Sequence, residues 1–302
     1  MPKVTVIIPT YNMAKYLPEA IESVLNQTYK DFEIIVLDDG STDDSKEIVK
    51  KYIDQSRNNI RYIYQENQGV VKARNEAIMN ARGEFIAFLD ADDKFYANRL
   101  EEEIKVIEKH PDIGLVHAGD TEITEIGECI NIQRRNKKCL SGYIFKNLYT
   151  RKASISIPTV LIKKECFEKV GLFDENLSKL GCEDREAWLR IAREYRIEYI
   201  NKVLAYYRRN REGMSRNREN MEKARYYVVE KFFSQGYVSK SLRRIALGRI
   251  HRESGDELLR ASKYQESRKE YLKSLVYWPF SFWPWINFIK TLLKYKVYER
   301  LY

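Results

Sequence analysis

The strongest constraint on the fold is a regular alternation of short apolar segments with amphipathic segments in the first part of the chain. Five apolar segments rich in β-branched and aromatic residues lie at residues 4–9, 32–37, 60–64, 84–89 and 113–118. Helical patterns lie between them at residues 18–26, 41–53, 70–81 and 98–109. Because near-continuous apolar strands that alternate with helices form parallel sheets covered on both faces, we predict an α/β fold with a doubly wound, mostly parallel sheet.

The composition changes in the C-terminal third. Residues 201–302 hold 23 Lys and Arg against 10 Asp and Glu, a net charge of +13, whereas residues 1–200 carry −4. We therefore predict a first domain over residues 1–215 and a basic, helical C-terminal region over residues 216–302. This asymmetry favours an anionic partner, for which nucleic acid, anionic lipid and a charged acceptor all qualify. A well-solvated helical surface is the alternative.

Cysteine usage favours a reducing compartment. The four cysteines form no Cys-x-x-Cys pair, and the three histidines fit no zinc-binding spacing. The first residues lead into an apolar strand without a signal-peptide pattern, and the sequence lacks an uncharged stretch of about 20 residues that would span a bilayer. We therefore predict a cytoplasmic protein with free thiols at Cys129, Cys139, Cys166 and Cys182.

Carboxylates follow two of the predicted strands. The segments 37–41 (LDDGS) and 88–93 (FLDADD) each end a strand, and ligands of such sheets lie at the carboxyl ends of the strands. Clustered acids repel one another, so a cation is expected among them, and the oxygen ligands of Asp90 and Asp92 suit Mg²⁺ or Mn²⁺. The alternative is that aspartates here only form turns and cap helices, which is sufficient for Asp43 and Asp93.

Five segments together give a specific resemblance. They are residues 6–12 (VIIPTYN), 38–43 (DDGSTD), 67–69 (NQG) with 73–75 (ARN), 88–93 (FLDADD) and 182–190 (CEDREAWLR). In this order, over roughly residues 3–215, they resemble the family 2 glycosyltransferases, which are inverting enzymes of the GT-A fold. The resemblance implies that residues 1–215 form a catalytic domain that binds a nucleotide-sugar.

The resemblance also implies roles for individual residues on the donor side. It assigns donor binding to Pro9, Thr10, Tyr11, Asn12, Asp39, Arg74, Asp90 and Ala91. Tyr11 would offer a ring face to the uracil, and Asp39 would accept the uracil N3–H. Asp90 would hold the ribose, and Asp92, with Asp90, would bind the divalent cation between the phosphates.

On the acceptor side, the resemblance assigns the general base to Asp184, with Glu183 orienting the acceptor or the base. A carboxylate that takes the acceptor proton, opposite a cation that stabilises the departing diphosphate, gives a single displacement with inversion. Judged by spacing alone, Asp184 is instead a solvated acid in the first turn of a helix. Trp188 is interpreted as a core residue rather than as a platform for a sugar.

The sequence departs from the family pattern at one position. Many relatives carry a histidine after a Tyr-Arg pair near the end of this domain, and Asn210 stands there in this chain. An asparagine oxygen is a weaker ligand for the cation, and Arg208, Arg209 and Arg211 are alternative contacts for the diphosphate. The signature of processive polymer synthases is missing, so we expect transfer of one or a few sugars per acceptor.

The C-terminal region contains an aromatic segment, residues 277–289 (YWPFSFWPWINFI), followed by Lys290, Lys294, Lys296 and Arg300. Aromatic rings beside lysines suit an anionic membrane surface. The alternative is a helical lid whose rings pack on the catalytic domain or on a second subunit.

These observations favour a glycosyltransferase that uses a nucleotide-sugar, with a UDP-sugar favoured, and acts on a glycan or lipid-linked acceptor at the cytoplasmic face. A catalytically silent binding or scaffold protein with the same fold is the first alternative. A nucleotidyltransferase is disfavoured because residues 9–12 contain no glycine for a phosphate loop, and nucleic acid is a disfavoured partner. The sugar, the acceptor and the oligomeric state stay open.

Overall fold

The structure, a computed structural model, describes residues 1–55, 60–131, 140–210 and 217–299, with the backbone alone at 131 and 293–299. The chain forms two compact units, which we call the sheet unit (Met1–Phe145 and Ala153–Arg216) and the helical unit (Lys146–Lys152 and Asn217–Tyr302). Their main boundary lies beside the position predicted at residue 215. The segment Lys146–Lys152 joins the helical unit although it lies inside the range predicted for the first domain.

The sheet unit is built on nine strands among the described residues. They are β1 (Val4–Thr10), β2 (Phe32–Asp38), β3 (Ile60–Tyr64), β4 (Phe85–Phe88), β5 (Lys94–Phe95), β6 (Ile113–Ile123), β7 (Cys129–Asn131), β8 (Val160–Lys163) and β9 (Arg196–Arg208). Their order is β3-β2-β1-β4-β8-β6-β9-β5, with β7 paired to β6. Strands β1 to β4 pair in parallel, as do β6 and β9, whereas β8 is antiparallel to both its neighbours. The predicted α/β class is confirmed.

Helices cover both faces of the parallel strands. The helices of the sheet unit are α1 (Leu17–Leu25), α2 (Ser45–Gln55), α3 (Val70–Asn80), α4 (Arg99–Ile107), α6 (Lys164–Val170) and α7 (Glu183–Glu194), whereas α5 (Phe145–Tyr149) belongs, apart from Phe145, to the helical unit. Side chains alternate between the faces of a strand, and Val4, Val6 and Ile8 of β1 accordingly share one core with α1, α2 and α4. On the other face, Phe88 of β4 packs edge-on against Phe173. This two-sided burial explains why the strands are apolar throughout.

The helical unit contains α8 (Arg218–Ser234), α9 (Lys240–Arg260), α10 (Tyr264–Tyr277) and α11 (Phe282–Glu299). The predicted C-terminal helical extension is therefore confirmed. Helices α9 and α10 pack closely at Gly255, where any larger residue would place a Cβ only 2.7 Å from the ring of Tyr271. The hydroxyls of Ser267 and Ser274 donate to the carbonyl oxygens of Gly255 and Gly248 at 2.8 and 2.7 Å across the same contact. Small residues in α9 thus allow the two backbones to pack tightly.

A buried polar cluster ties three of these helices together. Ligand atoms of Glu222, His251 and Glu270 all lie within 4.8 Å of one another. His251 Nδ1 is 2.7 Å from Glu270 Oε2 and Nε2 is 2.5 Å from the Tyr226 hydroxyl. Although burial would raise the pKa of Glu270, hydrogen bonds from His251 and Lys273 lower it to about 2. Because the ring nitrogens and carboxylates are already paired with protein groups, we interpret the cluster as a structural network.

One buried histidine of the sheet predicts a pH-dependent stability. Burial of His117 in β6 lowers the pKa of its imidazole from 6.5 to about 4. Between pH 6.5 and 4 the imidazole binds a proton in the unfolded chain but not in the folded chain. The contribution of His117 to the free energy of unfolding is therefore fully present above pH 6.5 and is lost as the pH falls towards 4. We expect a loss of up to about 3 kcal/mol in the free energy of unfolding from this group.

The measurement is denaturant unfolding of the wild type and of His117→Gln from neutral pH to acid. The difference in unfolding free energy between the two should shrink as the pH falls, because the variant has no imidazole to titrate. His110→Gln, at an exposed position, serves as the control and should follow the wild type. Parallel curves for wild type and His117→Gln would contradict the assignment.

Candidate active site

The predicted donor-binding loop lies at the carboxyl ends of β1 and β2. Thr10 and Asp38 are partners at the ends of these strands, and Asp39 N donates to the Thr10 carbonyl at 2.9 Å. Asn12, which has a left-handed backbone with φ of 53°, donates from its N–H to Ser41 Oγ at 2.9 Å. Its side-chain oxygen accepts from Thr42 N at 2.8 Å. Pro9 and Thr10 are buried and Tyr11 is exposed, so the ring predicted to meet a base faces solvent.

Asp39 organises the segment that leads into α3. Its buried carboxylate accepts hydrogen bonds from Gln65 Nε2 at 2.6 Å, Gln68 N at 2.9 Å and Gly69 N at 2.8 Å. A carboxylate offers about four acceptor positions, so one more is left for the predicted contact with a base. Gly40 allows this close approach, because its φ is +85° and a Cβ there would lie 2.8 Å from Asn67 N.

Arg74 connects three parts of the predicted site. From α3, its Nη2 donates to Asp90 Oδ1 at 2.6 Å and its Nη1 donates to Glu183 Oε1 at 2.5 Å. Burial opposes the charge of the guanidinium, but the two carboxylates raise the pKa of Arg74 above its ordinary value. The buried fork therefore holds the end of β4 against the start of α7. The sequence predicted an approach of Arg74 to the nucleotide and did not predict this bridge.

Three carboxylates crowd the turn after β4. The turn is closed by a hydrogen bond from Asp93 N to the Asp90 carbonyl at 2.9 Å, and Ala91 within it is buried. Burial and the charge of Asp90 raise the pKa of Asp92 to about 6, while a hydrogen bond from the Asn210 side chain opposes the rise. Burial and the neighbouring charges of Asp92 and Asp90 also raise the pKa of Asp93. Arg74 compensates Asp90, whereas the raised pKa values of Asp92 and Asp93 are what is expected of acids beside a cation site.

Arg208, at the end of β9, fixes the shape of this turn. Its N–H donates to Asp93 Oδ1 at 2.8 Å and its Nε donates to the Asp92 carbonyl at 2.7 Å. Its Nη1 donates to the Glu125 carbonyl at 2.9 Å and its Nη2 to Glu19 Oε2 at 3.1 Å. Because protein acceptors take these donors, the expectation that Arg208 contacts the diphosphate is replaced by a structural role. Arg209 pairs with Glu122 at 2.5 Å, and Arg211 lies outside the described residues.

The two acids assigned to catalysis lie in the first turn of α7. Glu183 and Asp184 follow Cys182, which has a left-handed φ of 64°, and Asp184 Oδ1 accepts from Arg185 N at 2.6 Å. Burial raises the pKa of Asp184, while Arg185 and Arg74 oppose the rise. Burial likewise raises the pKa of Glu183, against the effect of Arg74. A carboxylate with a raised pKa is a stronger proton acceptor once ionised, provided that it stays ionised at neutral pH.

Some residues that hold the site together were not predicted from the sequence. The buried side chain of Asn75 exchanges two hydrogen bonds with the backbone of Phe173, at 2.9 and 3.0 Å, and so holds the segment before α7 against α3. The motif 73–75 contained Asn75, but only the fold reveals its distant partner. Trp188 is buried against Phe173 with ring centroids 6.0 Å apart, so its interpretation as a core residue is confirmed.

Comparisons with known proteins identify the family. Residues 5–171 match the family described as Glycosyl transferase family 2. An uncharacterized glycosyltransferase of Methanocaldococcus jannaschii, MJ1057, is 34% identical over 236 residues, which cover 76% of this chain and 79% of the relative. One of Rickettsia felis is 40% identical over 203 residues, which cover 67% of this chain and 32% of the relative. The match thus spans about a third of the length of the Rickettsia felis relative. It belongs to glycosyl transferase family 2.

Solved structures agree on the fold. The mannosyltransferase PcManGT of Pyrobaculum calidifontis, in complex with GDP-Man and Mn²⁺, aligns with a TM-score of 0.68 at 21% identity, covering 100% of this chain and 81% of that one. TarS 1–349 of S. aureus, in complex with UDP-GlcNAc, aligns with a TM-score of 0.64 at 20% identity, covering 96% and 89%. The predicted GT-A fold is confirmed.

Proposed function

We propose that the chain is an inverting glycosyltransferase that moves a sugar from a nucleoside-diphosphate donor, with a UDP-sugar favoured, to a hydroxyl of a glycan or lipid-linked acceptor. The observation that carries the proposal is the Arg74 bridge. It joins Asp90, on the donor side, to Glu183, which is next to the proposed base Asp184. A scaffold protein would have no need for a proton acceptor held against a nucleotide-binding motif.

The residues around the turn after β4 fit a divalent cation. Asp90 and Asp92 would hold it through carboxylate oxygens, the ligands that Mn²⁺ and Mg²⁺ prefer. Asn210 stands beside them through its hydrogen bond to Asp92. The buried Oδ2 of Asp93 has no hydrogen-bond partner within the described part of the chain, which also favours a positive group nearby. When bound, the cation supplies charge stabilisation for the departing diphosphate.

The chain's own groups account for the other half of the reaction. The Asp184 carboxylate takes the proton of the acceptor hydroxyl as that oxygen attacks the anomeric carbon. Glu183, fixed by Arg74, orients the acceptor or Asp184 itself. Attack from the face opposite the leaving group in one step inverts the anomeric centre, so an α-linked donor would give a β-linked product.

The choice of a UDP-sugar as donor rests on the hydrogen bonds that Asp39 can accept. Asp39 has one acceptor position left, which suits the N3–H of uracil and is not satisfied by cytosine, which lacks that proton. TarS is solved with UDP-GlcNAc, and PcManGT with GDP-Man and Mn²⁺. Both complexes support a nucleotide-sugar as the donor class, and their nucleotides differ in the base.

The free cysteines support a cytoplasmic site of action, which is part of this proposal. Cys129, Cys166 and Cys182 are free thiols, which suits a reducing compartment. Cys139 lies outside the described residues. Within the described residues, every helix is too short or too polar to cross a membrane.

Replacement of Asp92 tests the cation site. We expect Asp92→Asn to weaken binding of UDP in the presence of Mn²⁺ by about tenfold or more, because a charged ligand is lost. Without Mn²⁺, the variant and the wild type should bind UDP alike. Isothermal titration calorimetry with and without Mn²⁺ measures both values.

The matched control is Asp112→Asn, which removes a carboxylate from a surface pair with Arg196. It should bind UDP and Mn²⁺ as the wild type does. An unchanged gain from Mn²⁺ in Asp92→Asn would exclude Asp92 as a ligand.

A further inference from the structure

An exposed aromatic surface lies at the turn from α10 into α11. Its members and their exposed fractions are Phe280 (92%), Phe282 (73%), Trp283 (60%), Trp285 (47%) and Ile289 (51%). We call these five residues the aromatic surface. Single exposed apolar residues are ordinary in proteins, but five large apolar side chains exposed within ten residues of the sequence indicate an interaction site.

The orientation of α11 explains why these side chains are exposed together. The helix packs through the opposite side, where Pro284 and Thr291 are buried and Asn287 donates to Asp256 Oδ1 at 2.9 Å. Phe282, Trp285 and Ile289 follow one another at i, i+3 and i+7 and so form one stripe along the helix. Exposed Leu292 continues the same stripe.

The polar atom of one ring is already satisfied. Trp285 Nε1 donates to the carbonyl of Pro279 at 3.1 Å. This bond fixes the ring over the turn and removes the cost of burying an indole N–H in an apolar medium. The ring can therefore enter the boundary between lipid headgroups and acyl chains without losing a hydrogen bond.

The charge of the surrounding sequence identifies the partner. Residues 278–302 hold four Lys and Arg against a single acidic residue, Glu299. Lys290 is exposed one residue after the stripe member Ile289. A second copy of the chain would bring another basic segment against this one, whereas an anionic bilayer compensates its charge. Aromatic rings beside lysines are the composition of helices that lie in the bilayer interface.

We propose that the aromatic surface binds the headgroup region of an anionic lipid bilayer, with α11 lying along the membrane and not crossing it. The proposal goes beyond glycosyl transfer and does not depend on it. In this arrangement, the aromatic surface, including Trp285, enters the interface and Lys290 contacts acidic headgroups.

The test is flotation of the full chain with two kinds of vesicle, one of phosphatidylcholine alone and one of phosphatidylcholine with phosphatidylglycerol. The wild type should bind the anionic vesicles, with a blue shift of its tryptophan fluorescence. We expect the double variant Phe282→Ser, Trp283→Ser to lower the partition coefficient about tenfold or more, because both rings leave the interface. Lys290→Glu should lower it about fivefold or more, and more strongly at low salt.

Tyr143→Ser and Lys50→Glu are the matched controls, since they remove an exposed aromatic ring and an exposed lysine elsewhere. Both should bind vesicles nearly as the wild type does. Thermal unfolding checks that each variant is folded, and UDP binding, measured on the same samples, should be unchanged. A failure of nucleotide binding in the wild type would count against the proposed function and leave the membrane result standing.

Three outcomes would overturn the proposal. The wild type could fail to bind anionic vesicles, or the double variant could bind them as well as the wild type does, which would indicate a purely electrostatic contact elsewhere. Alternatively, analytical ultracentrifugation could find a wild-type dimer that the double variant dissociates, with no vesicle binding by either. The last result would identify the aromatic surface as an interface between copies of the chain.

Discussion

An Asp184→Asn variant is expected to lose turnover by about 10²- to 10⁴-fold, the usual contribution of a positioned general base. The amide nearly matches the carboxylate in shape but cannot accept a proton. It can still accept the hydrogen bond from Arg185 N, so the first turn of α7 should keep its conformation. Donor binding should therefore stay within about twofold of the wild type, because Asp184 acts on the acceptor side.

The measurement pairs steady-state release of the nucleoside diphosphate with calorimetric binding of the donor. Asp54→Asn, at an exposed position in α2, is the matched control and should retain full turnover. Full turnover by Asp184→Asn would refute the assignment of the base. A parallel loss of donor affinity and turnover would instead indicate that Asp184 belongs to the donor pocket.

The second large effect is expected from Arg74→Met, which removes the bridge between Asp90 and Glu183. Glu183 is buried, so the variant leaves a charge with no counter-ion, and we expect a loss of about 3–5 kcal/mol in the free energy of unfolding. The loss should shrink as the pH falls, because burial already raises the pKa of Glu183 and protonation then neutralises it. Nucleotide binding should weaken as well, since Asp90 loses its anchor.

Denaturant unfolding at several pH values measures this effect. Arg196→Met is the control, because Arg196 forms surface pairs with Asp112 and Glu198 and its loss should cost about 1 kcal/mol or less. Arg74→Lys should fall between the wild type and Arg74→Met, since one ammonium cannot reproduce the two-pronged contact. A loss below about 1 kcal/mol in Arg74→Met would mean that Glu183 is protonated or solvated without the bridge.

The first half of the fold was predictable because its signals are local. Each of the strands β1 to β4 carries an apolar run, and α1 to α4 repeat apolar residues at helical spacing. The observed bounds of these elements lie within a few residues of the predicted ones, apart from α2, which begins at Ser45 after the acidic turn. The antiparallel insertion of β8 between β4 and β6 was not predicted from the sequence. The order of strands depends on distant pairings that no short segment encodes.

In the candidate site as well, local motifs were predictable from the sequence and long-range contacts were not. The family resemblance assigned roles to Asp90, Asp92, Glu183 and Asp184, but it did not predict the contacts that hold Asp90 and Glu183 in place. The Arg74 bridge and the Arg208 clamp join residues separated by 109 and 115 positions in the chain. Both contacts depend on how the strands and helices pack. A charged residue considered only in its local sequence is expected to be exposed or to bind a ligand. Arg208 was misjudged for this reason, since its burial and its four acceptor groups become visible only in the folded chain.

We propose that this chain binds a nucleoside diphosphate through a divalent cation at the end of β4. Thermal unfolding in the presence of UDP, UMP, ADP and GDP, each with and without Mn²⁺, tests this binding. We predict a clear rise in the unfolding temperature with UDP and Mn²⁺ together, larger than with UMP, ADP or GDP and reversed by EDTA. A larger shift with GDP would support the same binding site and would indicate a GDP-sugar as the donor. If no nucleotide shifts the unfolding temperature with or without Mn²⁺, the proposed donor site is contradicted.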